Sequence, residues 1–158
     1  MAKTSPLERL LAMLGTYHGT TKTWLDPTKP PEEAPATARV KTILNGTVVQ
    51  IEYATRTMGK RNKGLFVFGH DLETSQFHVA WMDTFHCSPG VMFCRPDRKA
   101  TPKEISLLGD YSDGAGGRWG WRTAFSQPDP KTLVIKAFNV PPGDMEQRAI
   151  ETRLKRVK

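Results

Sequence analysis

Apolar positions along this chain follow two periods in succession. Leu7, Leu10, Leu11 and Leu14 recur at three and four residues, so they share one face of a helix. Ser5-Pro6-Leu7-Glu8 supplies its start: Ser5 caps, Pro6 suits the first helical position, and Glu8 completes a capping box. Gly15 ends it. The spacing predicts a short amphipathic helix over 5–14 that lies against something larger. Beyond Gly15 the period becomes two. Val49, Ile51 and Tyr53 alternate with Gln50, Glu52 and Ala54, and Phe77, Val79 and Trp81 with His78, Ala80 and Met82. That alternation marks strands with one dry face.

Ten strand segments are predicted, at 15–25, 37–44, 47–57, 65–71, 76–85, 91–95, 104–111, 118–125, 132–138 and 146–157. Turn signals separate them about every ten residues. Asn45-Gly46 is a tight hairpin signal, 58–64 a polar turn, and Ser88-Pro89-Gly90 a turn with Pro89 and Gly90 at the central positions. The proline-rich stretch 26–36 reads as a loop between the first two strands. Consecutive strands with short connections favour an antiparallel meander, and closing it removes unpaired edges. The expected fold is all-β: an antiparallel up-and-down β-barrel of about ten strands with a short N-terminal helix. It makes one domain over 1–158, the barrel occupying 15–157, with no internal repeat or linker.

A small barrel is lined by alternate residues of every strand. Parity and apolarity turn Tyr17, Tyr53, Phe66, Phe68, Phe77 and Trp81 inward, followed by Trp119, Trp121 and Phe125. Val49, Ile51, Val79, Leu133 and Ile135 join them. Asp83 continues the Phe77–Val79–Trp81 face to the strand end, which puts a carboxylate at the barrel rim. A carboxylate there needs partners, because an unpaired buried charge is costly. Arg122 and His18 are the partners considered, although parity points both outward. Asp83 also has a plain structural reading, as the residue that satisfies a turn.

The formal charge of +7 allows an anionic partner. The basic residues are nevertheless dispersed, with clusters only at Lys60–Lys63 and Arg153–Lys158. No aromatic residues interleave with them along one face, as single-strand binders require. A nucleic-acid partner is therefore not expected. The N-terminal apolar run is too short and too charged for a signal peptide or a membrane span. Two cysteines make no disulfide framework, and the default compartment is the reducing cytoplasm. A homodimer is the one protein partner considered.

The stretch from Phe77 to Cys94 concentrates the reactive side chains. On one continuous strand, His78 and His86 stand ~26 Å apart, too far for one ion. Cys87 and Cys94 lack zinc-knuckle spacing, so no metal site is expected. With Pro89 and Gly90 as a tight loop, Cys94 sits across from Phe85 and Cys87 faces Met92. His86 and Cys87 then point to opposite faces and make no nucleophile–base pair. The Asp113–Gly117 segment precedes a strand and not a helix, so it is a flexible turn and not a phosphate loop.

Several segments together carry a resemblance. Leu14–Thr21 has the Gly-x-aromatic-x-Gly opening of lipocalin-like (calycin) barrels. It is followed by "LNGTVVQIEY", "MGKRNKGLFVFGHD", "FHVAWMD" and a late "ETR". In that order they resemble a bacterial family of unknown function, domain number 1579, over Leu14–Arg156. The resemblance implies a lipocalin-like barrel with an N-terminal helix and assigns no activity. The lipocalin opening carries Trp where this chain has Tyr17. That position packs at the closed end near an Arg of the last strand, which makes Arg153 the first candidate and Arg156 the second for a cation–π pair. Nitrobindin-like barrels share the opening and bind haem through a late His. Here the histidines are His18, His70, His78 and His86, so neither haem nor another cofactor is expected.

The leading functional expectation is a binding module for a small apolar or aromatic ligand in the barrel interior. Tyr53, Trp81 and Trp121 would form its walls and Asp83 its polar anchor. At ~25 cal/mol per Å² of buried apolar surface, a mid-sized ligand could bind with micromolar affinity. One rival is a barrel enzyme, an isomerase or hydrolase using Asp83 with a His; no acid–base pair has a convincing spacing, so binding leads over catalysis. The other is a filled barrel serving as a structural or interaction protein.

Overall fold

The computed structural model describes residues 5–87, 89–143 and 145–157. Ser88 of the Ser88-Pro89-Gly90 turn lies outside the described residues. The helix α1 spans Pro6–Ala12, shorter at both ends than 5–14. Ser5 is its cap and not its first turn: its backbone is extended, its hydroxyl accepts from Glu8 N, and Glu8 returns the bond to Ser5 N. Met13 closes the other end, and Leu14 leads straight into a strand.

Ten strands follow: β1 (Gly15–Thr23), β2 (Glu32–Ile43), β3 (Val48–Thr57), β4 (Lys60–Asp71), β5 (Gln76–Asp83), β6 (Met92–Pro96), β7 (Glu104–Ser112), β8 (Arg118–Asp129), β9 (Thr132–Val140) and β10 (Gln147–Arg156). Each pairs antiparallel with its sequence neighbours, and β1 pairs with β10, so the sheet closes as an up-and-down barrel. Odd-numbered strands end at one rim. The described residues of the connections, 24–31, 58–59, 84–87, 89–91, 113–117, 141–143 and 145–146, gather there, and α1 sits at the opposite end.

Two strands start earlier than the turn residues suggested. β2 begins at Glu32, inside the proline-rich stretch, because Ala34, Ala36, Ala38 and Val40 all alternate inward and are buried. Residues 32–36 pair with β1 alone, since pairing with β3 starts at Thr37. On that free edge Pro35 lacks only an N–H that no neighbour needs. β4 begins at Lys60 because the turn is just Met58-Gly59, both with positive φ (51° and 71°), as a tight hairpin requires.

The closed end is floored by Tyr17, which is fully buried and donates its hydroxyl to Met13 O at 2.7 Å. The cation over its ring is Arg156, 5.3 Å from the ring centre, and not Arg153. Register decides between them: Tyr17 faces Arg156 across the β1–β10 pair, whereas Arg153 lies beside Thr20 with outward parity and is exposed. Arg156 also donates to Tyr17 Oη at 2.8 Å and to Ala12 O at 2.7 Å, which ties helix, floor and last strand together.

Above the floor, phenylalanines fill the barrel. Phe125 meets Phe66 and Phe68 edge-on at 5.1 and 5.3 Å, and Phe68 meets Phe77 at 5.8 Å. These rings occupy the barrel axis between the floor and the open half. Arg122, once a candidate partner for Asp83, faces outward. It pairs with Glu146 at 2.7 and 2.8 Å and stacks on Phe138 at 4.2 Å. Among the described residues, no helix is long and apolar enough to cross a membrane.

Candidate functional site

The open half is organised around Asp83. Tyr53 on β3, Gly64 on β4 and Asp83 on β5 occupy one rung of the sheet. Gly64 is the middle member, and a Cβ there would lie inside the Tyr53 ring. Its missing side chain lets the phenol cross β4 and donate to Asp83 Oδ2 at 3.1 Å. Tyr53 Oη in turn accepts from Trp81 Nε1 at 2.9 Å.

Asp83 also shapes the loop that follows. Its Oδ1 accepts from the backbone amides of Phe85, His86 and Cys87, the last at 3.0 Å. Aspartate capturing amides two to four residues on is a strong local turn former. The strand therefore stops at Asp83, and residues 84–87 and 89–91 lie outside any strand in place of the expected tight turn. As a consequence Cys94 pairs with Val79 and Met92 with Trp81; Cys94 is not across from Phe85. The same turn swings His86 back over the rim, where His86 Nδ1 lies 2.7 Å from Asp83 Oδ2. Neither His18 nor Arg122 takes that place.

Burial would raise the Asp83 carboxyl. The His86 hydrogen bond and charge, with the loop amides, outweigh it and bring the pKa down to about 2. The group is a carboxylate whose side chain is fully covered. Burial and the Asp83 charge push the Tyr53 phenol well up, so it stays a donor. With Asp83 as acceptor, Nδ1 of His86 carries the proton and Nε2 is the remaining ring nitrogen. Nε2 has no hydrogen-bond partner among the described residues. The result is a chain of bonds, Trp81 to Tyr53 to Asp83, that fixes one imidazole at the mouth.

Two hollows meet beside that imidazole. A vestibule of about 230 Å³ lies at the rim against Trp24, Leu25, Phe85, Met92 and Tyr111. A chamber of about 40 Å³ lies deeper, against Tyr53, Asn62, Phe66, Thr123 and Ile135. Thr23, Trp81, His86 and Trp121 border both and form the neck. Trp81 and Trp121 stack across it, 5.3 Å apart and 13° from parallel, and the His86 ring sits 5.2 Å from Trp121. Trp121 and Thr123 line the chamber, and Trp121 Nε1 and Thr123 Oγ1 are buried without a hydrogen-bond partner among the described residues.

The predicted residues Tyr53, Trp81, Asp83 and Trp121 thus come together, while Tyr17 belongs to the floor at the far end and Arg153 to the outer surface. Sequence reasoning missed His86, placed on a strand face by parity, and the hydroxyls of Thr23 and Thr123. Asp83-Thr84-Phe85-His86 held a usable signal, since an aspartate at a strand end is placed to capture following amides. Cys87 and Cys94 are free thiols, and burial pushes them up to about 12 and about 11, far from a reactive thiolate. Among the described residues no three His, Cys, Asp or Glu side chains cluster to hold a metal ion.

A closed ten-stranded antiparallel barrel, plugged by a helix at one end and hollow at the other, has the architecture of a lipocalin-like fold. The chain belongs to the family described as protein of unknown function (DUF1579), whose model matches residues 3–156. No curated protein matches the chain in sequence.

Proposed function

We propose that the open end of the barrel binds a small, largely apolar or aromatic molecule between the Trp81–Trp121 neck and the loop that carries His86. The observation that carries this reading is the meeting of two hollows at one set of aromatic side chains, beside a polar network that holds them in place. Stacked indoles offer a flat apolar wall, and Asp83 acts through His86 and Tyr53 instead of touching the ligand. Size bounds the occupant. A cavity of ~150 Å³ takes one benzene ring, so the vestibule suits a single-ring or similarly small ligand and is too small for a tetrapyrrole. Burying ~200 Å² of apolar surface gains ~5 kcal/mol before association costs, so the affinity is expected to be no tighter than submillimolar.

The test is tryptophan emission titrated with single-ring aromatics, fatty acids and tetrapyrroles, with native mass spectrometry of protein purified from its own host. Quenching or a shift with the single-ring class supports the reading. No response to any class, together with no retained small molecule, overturns it.

One observation favours a second reading, a proton-transfer enzyme. The His86–Asp83 pair at 2.7 Å orients an imidazole whose Nε2 is free beside the neck, as a general base requires. In D₂O such a base would exchange the α-protons of a small ketone bound there, and His86→Gln would abolish the exchange. Exchange no faster than buffer alone ends this reading.

A further inference from the structure

The outer wall of the barrel has two unlike halves. On β4–β7 the inward residues, among them Phe66, Trp81 and Cys94, are buried, so their alternating neighbours point out of the wall. Those neighbours include Leu65, Val67, Ala80, Met82, Phe93 and Leu108, all apolar. The outward positions on β1–β3 instead include His18, Lys22, Arg39, Lys41, Glu52 and Arg56. Register joins the apolar side chains into one surface. Leu65 lies opposite Met82, Val67 opposite Ala80, and Ala80 opposite Phe93, so a single row crosses three strands. At its end Phe93 is 77% exposed, with Val91 of the same segment at 46% and Leu108 of the next strand at 39%. These three side chains alone offer ~300 Å², the extent at which a patch on a single chain is often functional.

Charge narrows what covers the patch. The β4–β5 hairpin carries opposite signs at its two ends: Lys60, Arg61 and Lys63 at the open rim, Asp71 and Glu73 at the closed end. Lys63 and Asp71 share the outward parity of Val67 and stand four residues to either side of it. Asp71 is held in place by the amides of Glu73 and Thr74. A two-fold axis laid along the Val67–Ala80–Phe93 row reverses the strands of a second copy. It sets Lys63 of each copy against Asp71 of the other. The axis itself crosses only uncharged side chains, so no group on it meets its own like charge. The face is therefore complementary to itself in both shape of burial and sign of charge.

We infer that β4–β6 form the interface of a homodimer, in which the apolar row of one copy packs face to face on the same row of the other and Lys63 pairs with Asp71 across the axis. Face-to-face packing is an ordinary way for two sheets to meet. The inference stands on the outer wall alone and does not depend on the ligand reading. Two convex walls meeting here bury ~1,000 Å² in all, at the low end for specific association, which makes the dimer one of micromolar order.

Sedimentation equilibrium of the full chain, loaded from about 1 µM to about 500 µM, tests this. A dimer of micromolar order is expected. Phe93→Ser alters a mostly exposed side chain, so its melting at low concentration should match the parent, while the dimer weakens at least about tenfold. Lys63→Gln and Asp71→Asn should each weaken the dimer about fivefold, because each removes both symmetry-related pairs. Asparagine keeps an oxygen for the two amides that Asp71 holds. The double variant should be no weaker than either single one. A chain that stays monomeric across the range overturns the inference, including the case in which the monomer binds lipid vesicles instead. A dimer indifferent to Phe93→Ser overturns the chosen face, and charge variants whose effects multiply overturn the arrangement about the axis. Should Phe93→Ser fail to fold, Val91→Ser on the same patch decides.

Discussion

Replacing Asp83 by asparagine tests the network on which the open end depends. The carboxylate accepts from three loop amides, the Tyr53 hydroxyl and the His86 ring. Asparagine keeps the shape and one carbonyl oxygen for the amides. It removes the charge and turns an N–H₂ toward Tyr53 and His86. A carboxyl held down at about 2 stabilises the fold by ~2 kcal/mol above pH 5, trimmed to ~1–2 kcal/mol by solvent screening around the loop. The exchanged hydrogen bonds to Tyr53 and His86 add ~1 kcal/mol. Asp83→Asn is therefore expected to lose ~2–3 kcal/mol at pH 6, a fall in Tm of ~5–10 °C for a chain of this size. The sign of the pH dependence follows from the lowered folded-state pKa. The charge contribution is complete above the unfolded value near 4 and disappears as the pH falls toward 2, with about half gone at pH 3. The gap between parent and variant must shrink from pH 6 to pH 3. Urea unfolding at the two pH values, followed by the emission of Trp81 and Trp121, measures it. A gap under ~0.5 kcal/mol at pH 6, the size of an ordinary surface change, or one that does not narrow at pH 3, would refute the reasoning.

Gly64→Ala should displace the Tyr53 ring and cost ~1–3 kcal/mol, with loss of the Tyr53–Asp83 bond visible as a change in near-ultraviolet circular dichroism. Arg156→Gln removes the cation over Tyr17 and two hydrogen bonds at the floor, for an expected ~1–2 kcal/mol, whereas Arg153→Gln should stay within ~0.5 kcal/mol; parallel thermal melts distinguish them, and equal losses would contradict the register. Cys87 and Cys94, both held as thiols by burial, should react with iodoacetamide at pH 8 far more slowly than in urea, and fast alkylation of the folded chain would show that the 84–91 loop opens.

Local pattern determined most of the barrel. A change of period from three-and-four to two separates α1 from the strands, and strand parity alone turns Phe66, Phe68, Phe77, Trp81, Trp121 and Phe125 into the interior, where all six are buried. Parity is a property of the backbone, so it is legible without knowing which strands meet. It also gathered Tyr53, Trp81 and Trp121 on one side. What lay beyond it depends on contacts between distant segments. Whether Arg153 or Arg156 covers Tyr17 is a matter of β1–β10 register, set only when the cylinder closes. The extension of β2 into the prolines needs a neighbour that pairs on one edge and none on the other. The end of β5 and the place of His86 follow from Asp83 reaching for amides instead of continuing the strand, a choice stabilised by Tyr53 from two strands away. The hollow itself was beyond the chain's pattern, because its volume is what remains after phenylalanines from β4, β5 and β8 have met across the axis. Side-chain direction is encoded locally; the space between side chains is decided only when all ten strands are in place.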